Sequence, residues 1–236
     1  MDFQTKIKWQ RMWNQPFITY TILGITILIF LGMELTGGSQ SQQVLLSWGA
    51  MKKSYIVELH QYWRFFTPMF LHIGWMHIIL NMITLYYVGA QVEVVYGHGR
   101  YLLIYLLSGL MGNFVSFAFG AQNSISAGAS TAIFGLFGAL IVLGIQFKGD
   151  RIISNMVQRY AMFIAINLFF NLFSSSVDLL GHIGGLLGGM LTGYFIAVPK
   201  RPEKGNIHLR IIACMIFVFI MVVCFFLGFK NYVKLV

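Results

Sequence analysis

The sequence predicts an all-α protein that crosses a membrane several times, and three observations predict it. Only 10% of the 236 residues are charged and 58% are hydrophobic, whereas soluble domains carry about 25% charged residues. The apolar residues gather in seven runs near the bilayer-spanning length of roughly 20 residues: 17–35, 68–90, 101–119, 126–147, 157–174, 177–197 and 209–229. None of the runs alternates with period two, which excludes a barrel. Lipid leaves no water to satisfy backbone groups, so the runs must be helices.

The formal net charge of +9 reports topology and implies no nucleic-acid partner. Eleven of the sixteen basic residues lie in the tail (Lys6, Lys8, Arg11) or in alternate connections: Arg100; Lys148, Arg151 and Arg159; Lys200, Arg201, Lys204 and Arg210. The opposite side holds Lys52, Lys53, Arg64, Lys230 and Lys234. The positive-inside rule therefore predicts a multi-pass protein of the cell membrane, with a cytoplasmic N-terminus and an external C-terminus.

Residues 1–16, with Phe3, Trp9 and Trp13 among basic residues, read as a cytoplasmic interfacial tail. The first run lacks a small-x-small cleavage site after it, so it reads as a signal anchor. The stretch 37–66 is rich in aromatic residues (Trp48, Tyr55, Tyr62, Trp63, Phe65, Phe66) and is expected outside. It is either an aromatic belt or a structured loop that shapes an external cavity.

The second run is expected to start near Pro68, a tolerated position at a helix start. His77 and Asn81 are four residues apart and share a face, whereas His72 reads as structural. Polar groups in a span turn toward the bundle interior, where this pair serves either an interhelical hydrogen bond or chemistry. Asn113 in the third run reads as an interhelical bond. Glu93 and Arg100 bracket the far end of the second run, where solvation or local pairing is expected.

The fourth run opens Ser126-Ala127-Gly128-Ala129-Ser130-Thr131-Ala132-Ile133-Phe134-Gly135, which places Ser130 about a turn inside a helix. The sixth run, after a tight turn at 173–178, repeats glycine every fourth residue at Gly181, Gly185, Gly189 and Gly193. That is an extended small-xxx-small face for close helix packing. His182 lies along the same side. Both runs enter from the external side, so Ser130 and His182 sit at matched depth, roughly 8–10 Å in at 1.5 Å per residue. A serine becomes a nucleophile when a neutral imidazole accepts its proton. His77 and Asn81, entering from the same side, are placed to donate to an oxyanion. Asp178 reads as a cap of the sixth helix rather than as an orienter of His182, leaving a Ser–His dyad. Cys214 and Cys224, ten residues apart on one helix, are too distant to bridge, and no metal or cofactor set is present.

On residues alone, packing and acyl-transfer chemistry stand level. The motifs together resemble the rhomboid intramembrane serine proteases. Gly128-Ala129-Ser130 resembles that family's Gly-x-Ser motif, His182 its base, and His77-x-x-x-Asn81 its His-x-x-x-Asn. Trp63-Arg64 resembles the Trp-Arg of the first loop, and Gly89-x-x-x-Glu93-x-x-x-Gly97 a structural motif. The resemblance implies a six-helix core over 17–198 with the external loop 37–66, followed by a linker and a seventh helix over 199–236. It implies Ser130 as nucleophile, His182 as base, and oxyanion roles for His77 and Asn81. It further implies that Phe134 packs against the base, with Trp63, Arg64, Gly128, Glu93 and Gly185 as structural support. The implied substrates are single-span membrane proteins, cut near the outer interface of the lipid bilayer through a cavity open to the external side. Two rival readings remain: a catalytically inactive relative that binds membrane clients, and a transporter with a His/Asn relay. One position departs from the pattern: Thr131 stands where the family usually has glycine, so its stiff side chain is expected to bear on packing beside the nucleophile.

Overall fold

The structure is a computed structural model and describes residues 15–171, 178–196, 198 and 206–234. Helix α1 (Phe17–Leu35) leads into a connection with two short helices, α2 (Gln42–Ser47) and α3 (Lys53–Val57). Two 3-10 turns follow, Tyr62–Phe65 and Thr67–Phe70. Then α4 (Trp75–Thr84) passes through a π-turn, Leu85–Gly89, into α5 (Ala90–Tyr96). The remaining helices are α6 (His98–Phe119), α7 (Ser130–Gln146), α8 (Arg151–Asn171), α9 (Leu179–Ile196) and α10 (Ile207–Val233).

This is an all-α polytopic membrane protein. Among the described residues, five helical segments are long and apolar enough to cross a bilayer: Phe17–Leu35, Trp75–Tyr96, His98–Phe119, Leu179–Ile196 and Ile207–Val233. Helix α7 is apolar but 17 residues long. Helix α8 has 21 residues and carries Asn155, Gln158 and Arg159 in its first half, which dilutes its apolar character. Most of the expected tail 1–16, the end of the run 157–174, most of the turn at 173–178 and most of the linker after 198 lie outside the described residues.

Three of the boundaries that differ from the sequence reading bear on the site. The second helix begins at Trp75, because Thr67–Phe70 closes into a 3-10 turn and Leu71 is extended. It continues to Tyr96 and ends at Gly97, whose φ of +80° turns the chain into α6. The fourth helix begins at Ser130 itself, so the serine occupies the first helical position and is not a turn inside.

The three helices that meet most closely are α9, α7 and α6. Their contact is made by backbone. A Cβ at Gly185 would strike the Thr131 carbonyl, one at Gly189 the Gly135 carbonyl, and one at Gly138 the Leu186 carbonyl. Removing side chains at these positions lets the helix axes approach. Around this centre lies a cluster of fully buried residues, including Tyr96, Tyr101, Tyr105, Leu136 and Phe137.

The stretch 37–66 is folded. The buried Arg64 knits it together: Nε donates to Gln61 Oε1 at 2.6 Å, one terminal nitrogen to the Ala50 carbonyl at 2.6 Å, and the other to the Leu46 carbonyl at 2.8 Å. Its guanidinium also lies 4.5 Å from the centre of the Tyr55 ring.

Candidate active site

The connection from α6 to α7 is not free loop. Met51 and Ser126 form an antiparallel bridge, with Met51 N–H donating to Ser126 O at 2.9 Å and Ser126 N–H to Met51 O at 3.0 Å. Two residues later Gly128 takes a φ of +147° and donates its N–H to the Pro68 carbonyl at 2.9 Å. A Cβ at Gly128 would lie 2.9 Å from both Cε1 and Nε2 of His77 and 3.4 Å from Ser130 Oγ. Glycine is needed there twice over, for the positive φ and for the imidazole beside it.

Ser130 then opens α7. Its Oγ lies 2.8 Å from Nε2 of His182, which is buried on α9. The imidazole stacks on Phe134, with centroids 4.3 Å apart and planes inclined by 12°. Phe134 stands one turn after Ser130, so α7 supplies both the hydroxyl and the surface that holds the ring. One turn further along α9, Gly185 is pressed on the Thr131 carbonyl, which sets the spacing of the two helices beside the ring. Asp178 receives Gly181 N–H at 2.8 Å on one oxygen and the Ser126 hydroxyl at 2.8 Å on the other. It caps α9 and ties that helix to the bridged connection.

His77 faces the Gly128 turn. Ile73 N–H donates to His77 Nδ1 at 3.4 Å, which leaves the proton on Nε2, the nitrogen nearest Gly128. Asn81 is buried, and its Nδ2 donates to the His77 carbonyl at 2.9 Å. One of its two amide hydrogens is thus engaged by its own helix.

His72 is the site residue that the sequence reading undervalued. It is fully buried, accepts Ala129 N–H on Nε2 at 3.3 Å, and packs edge-on against His77 with centroids 5.1 Å apart. Burial, with His77 beside it, pushes its imidazole down to about 3. It is therefore neutral and able to accept at Nε2.

A rhomboid domain model matches residues 59–199, more than half of the chain. The chain belongs to the rhomboid family. The Rhomboid protease GluP of Bacillus subtilis (strain 168) is 38% identical over 193 residues, which is 82% of this chain and 37% of that protein. RHOMBOID-like protein 1 of Arabidopsis thaliana is 35% identical over 173 residues, 72% of this chain and 43% of that protein. The Putative rhomboid protease YdcA of Bacillus subtilis (strain 168) is 29% identical over 144 residues, 61% of this chain and 71% of that protein. This rhomboid thus spans less than half the length of GluP and of RHOMBOID-like protein 1.

The remaining predicted residues of this rhomboid lie away from the serine. Trp63 is more than half exposed, and its carbonyl accepts from Phe66 N–H at 2.8 Å. Arg64 reaches the site through one step, since Ala50, which it holds, precedes the bridging Met51. Glu93 lies at the opposite end of the bundle. It is not solvated: it is 1% exposed and accepts Ile18 N–H at 3.0 Å, Thr19 N–H at 2.8 Å and the Thr19 hydroxyl at 2.7 Å. These are the orphan donors of the first turn of α1, where a carboxylate is favoured by both hydrogen bonding and the helix dipole. His98 Nδ1 contacts the same carboxylate.

Thr131 points away from Ser130. It is 3% exposed and packs against α6, where a Cβ on Gly112 would come within 2.8 Å of the Thr131 Cβ. The bulk that the departure adds beside Ser130 is received by a glycine on the neighbouring helix. Asn113 also differs from the expected helix-to-helix bond: its Nδ2 donates to the Phe65 carbonyl at 2.7 Å, in the 3-10 turn of the connection.

Proposed function

We propose that this rhomboid is an intramembrane serine endopeptidase that cleaves single-span membrane proteins near the outer membrane interface, using Ser130 and His182 as a dyad. The observation that carries the reading is the 2.8 Å approach of Ser130 Oγ to His182 Nε2 in a buried position. His182 takes the hydroxyl proton as Oγ attacks the scissile carbonyl, and then gives that proton to the departing amine. Water, activated by the same imidazole, hydrolyses the acyl-enzyme and restores the serine.

The oxyanion is received by the Ser130 N–H at the start of α7, by His77 Nε2–H, and by the amide hydrogen of Asn81 that its helix does not use. Each such donor accounts for about 10²–10³ in rate. Asp178 acts as a cap, a reading supported by its bonds to Gly181 and Ser126. Substrates present their carbonyl by local unwinding, because a formed helix hides its backbone. The protein is a multi-pass protein of the cell membrane with a cytoplasmic N-terminus and an external C-terminus, and the site opens to the external side.

The test is cleavage of a model single-span substrate by purified protein in liposomes, alongside covalent labelling by a fluorophosphonate. Wild type is expected to cleave and to label at Ser130, and Ser130→Ala and His182→Ala are expected to do neither. Equal cleavage by wild type and Ser130→Ala would overturn the proposal.

A further inference from the structure

Helix α10 is the part of the chain to which this reading gives no task. Its buried residues, Ala213, Phe217, Cys224, Gly228 and Tyr232, form one stripe at helical spacing, and the rest of its surface is largely exposed. Such a helix could be a simple anchor. Its polar contacts argue otherwise, because those near its C-terminal end converge on the two segments that frame the serine.

Asn231 Nδ2 donates to the Ala118 carbonyl at 3.0 Å, at the C-terminal end of α6. The Tyr232 hydroxyl donates to the Glu58 carboxylate, at the end of α3. Lys53, at the start of α3, donates to the Gly120 carbonyl at 2.7 Å, so α3 and α10 both satisfy orphan carbonyls at the end of α6. Between these polar contacts lies an aromatic seam. Phe225 and Phe229 each pack against Tyr62, Phe225 also against Phe114, and Phe229 edge-on against Phe117. Gly228 admits the Phe117 ring against the α10 backbone.

Glu58 follows Met51, and Ala118 precedes Ser126; Met51 and Ser126 are the two halves of the backbone bridge. Helix α10 therefore grips both sides of the bridge at once. The bridged segment continues directly into Gly128 and Ala129, whose N–H groups are held by Pro68 and His72, and then into Ser130.

We infer that α10 is a positioning element: by clamping Glu58 and Ala118 together, Tyr232 and Asn231 fix the Met51–Ser126 bridge and hence the turn that presents Ser130. The catalytic consequence rests on the protease reading above; the effect on the bridge and turn does not. Tyr232 and Asn231 touch no reacting atom and act through the bridge.

The experiment is hydrogen–deuterium exchange on the full chain in detergent, comparing wild type with the double variant Tyr232→Phe/Asn231→Leu. Both substitutions keep the heavy-atom branching of the side chain and remove its hydrogen bonding. The Met51, Ser126, Gly128 and Ala129 amides are expected to exchange about tenfold faster, as their local opening loses two hydrogen bonds. The amides of α7 and α9 beyond their first turns are expected to be unchanged. Fluorophosphonate labelling of Ser130 is expected to slow about fivefold to tenfold. Glu58→Gln, which keeps an acceptor for Tyr232, is expected to exchange and label within about twofold of wild type. Unchanged exchange at the bridge and turn overturns the inference whatever the activity. Faster exchange with undiminished labelling overturns it too, because the clamp would then not position the serine. Uniformly faster exchange over α7 and α9 assigns α10 a general structural role and also overturns it. Wild type that neither labels nor cleaves sinks the protease reading alone, and the exchange at Gly128 and Ala129 still decides the clamp.

Discussion

Helices α7 and α10 are both attached to the centre of the bundle, by opposite means. At the α7–α9 contact, backbone carbonyls of Thr131, Gly135 and Leu186 face glycines with no space for a side chain. At the α10–α6 contact, phenylalanine rings meet, as Phe229 does Phe117 at a centroid distance of 5.6 Å. Rings can repack when a neighbour changes, whereas main chain against main chain has no rotamer to change. The 2.8 Å Ser130–His182 pair spans the first kind of contact, the one with the least slack. The difference teaches that a short distance between two helices' side chains can be held by leaving other side chains out. Side-chain-rich contacts serve where some adjustment is tolerable.

That contrast can be broken at several points. The largest effect is expected from Gly189→Val, which drives a branched side chain into the Gly135 carbonyl. Overpacking of this kind costs about 3 kcal/mol, so thermal unfolding in detergent should drop sharply and Ser130 labelling disappear. Wild-type behaviour would contradict a backbone-tight interface. Next comes Gly128→Ala, which must accommodate a φ of +147° and a methyl group beside His77. Its substrate turnover is expected to fall by about 10² with a smaller loss of stability, since the change falls at the donors that the proposed reaction assigns to the oxyanion.

Phe229→Ala tests the other side of the comparison. The ring is partly exposed to the apolar surroundings of the bundle, where packing rather than the hydrophobic effect holds helices together. A loss of about 1–2 kcal/mol is expected from unfolding curves, below the usual range for a fully buried ring. The smallest change is expected for Thr131→Gly. It removes a side chain lodged against Gly112 and adds a helical glycine, for about 1 kcal/mol. It also removes a buried hydroxyl that has no hydrogen-bond partner among the described residues, which offsets part of that cost. Labelling of Ser130 within about threefold of wild type would show that the departure from the family pattern is absorbed by α6; a tenfold gain would show that it is not.

Much of the arrangement was legible in the sequence because it is written in short-range spacing. Glycine every fourth residue from Gly181 to Gly193 marks a packing face, and His182 beside it shares that face. Hydropathy was less informative where the chain is apolar without being helical. The fourth apolar run starts at 126, yet residues 126–129 form a bridge and a tight turn, and the helix waits until Ser130. Apolar loop and apolar helix have the same composition when a loop is buried among helices. Contacts between distant segments left no local trace. The partners of Glu93 in α1 lie 74 and 75 residues away, and the His72–Ala129 bond spans 57 residues. A histidine five residues before His77 signals nothing until the turn at Gly128 is seen folding over it.

The start of α7 carries one more consequence. Ala129, at its N-cap, offers no side-chain hydrogen bond to the first turn, so the helix begins with its leading N–H groups uncapped by its own sequence. Caps of that kind usually contribute about 1 kcal/mol. Under the proposed reaction, the oxygen that becomes negative during attack at Ser130 accepts from the first of these leading N–H groups. The transition state would then satisfy a donor at a helix end that the resting sequence leaves without a side-chain cap. A transition-state-like anion held at Ser130 is accordingly expected to raise the unfolding temperature, through the linkage that any native-state ligand exerts.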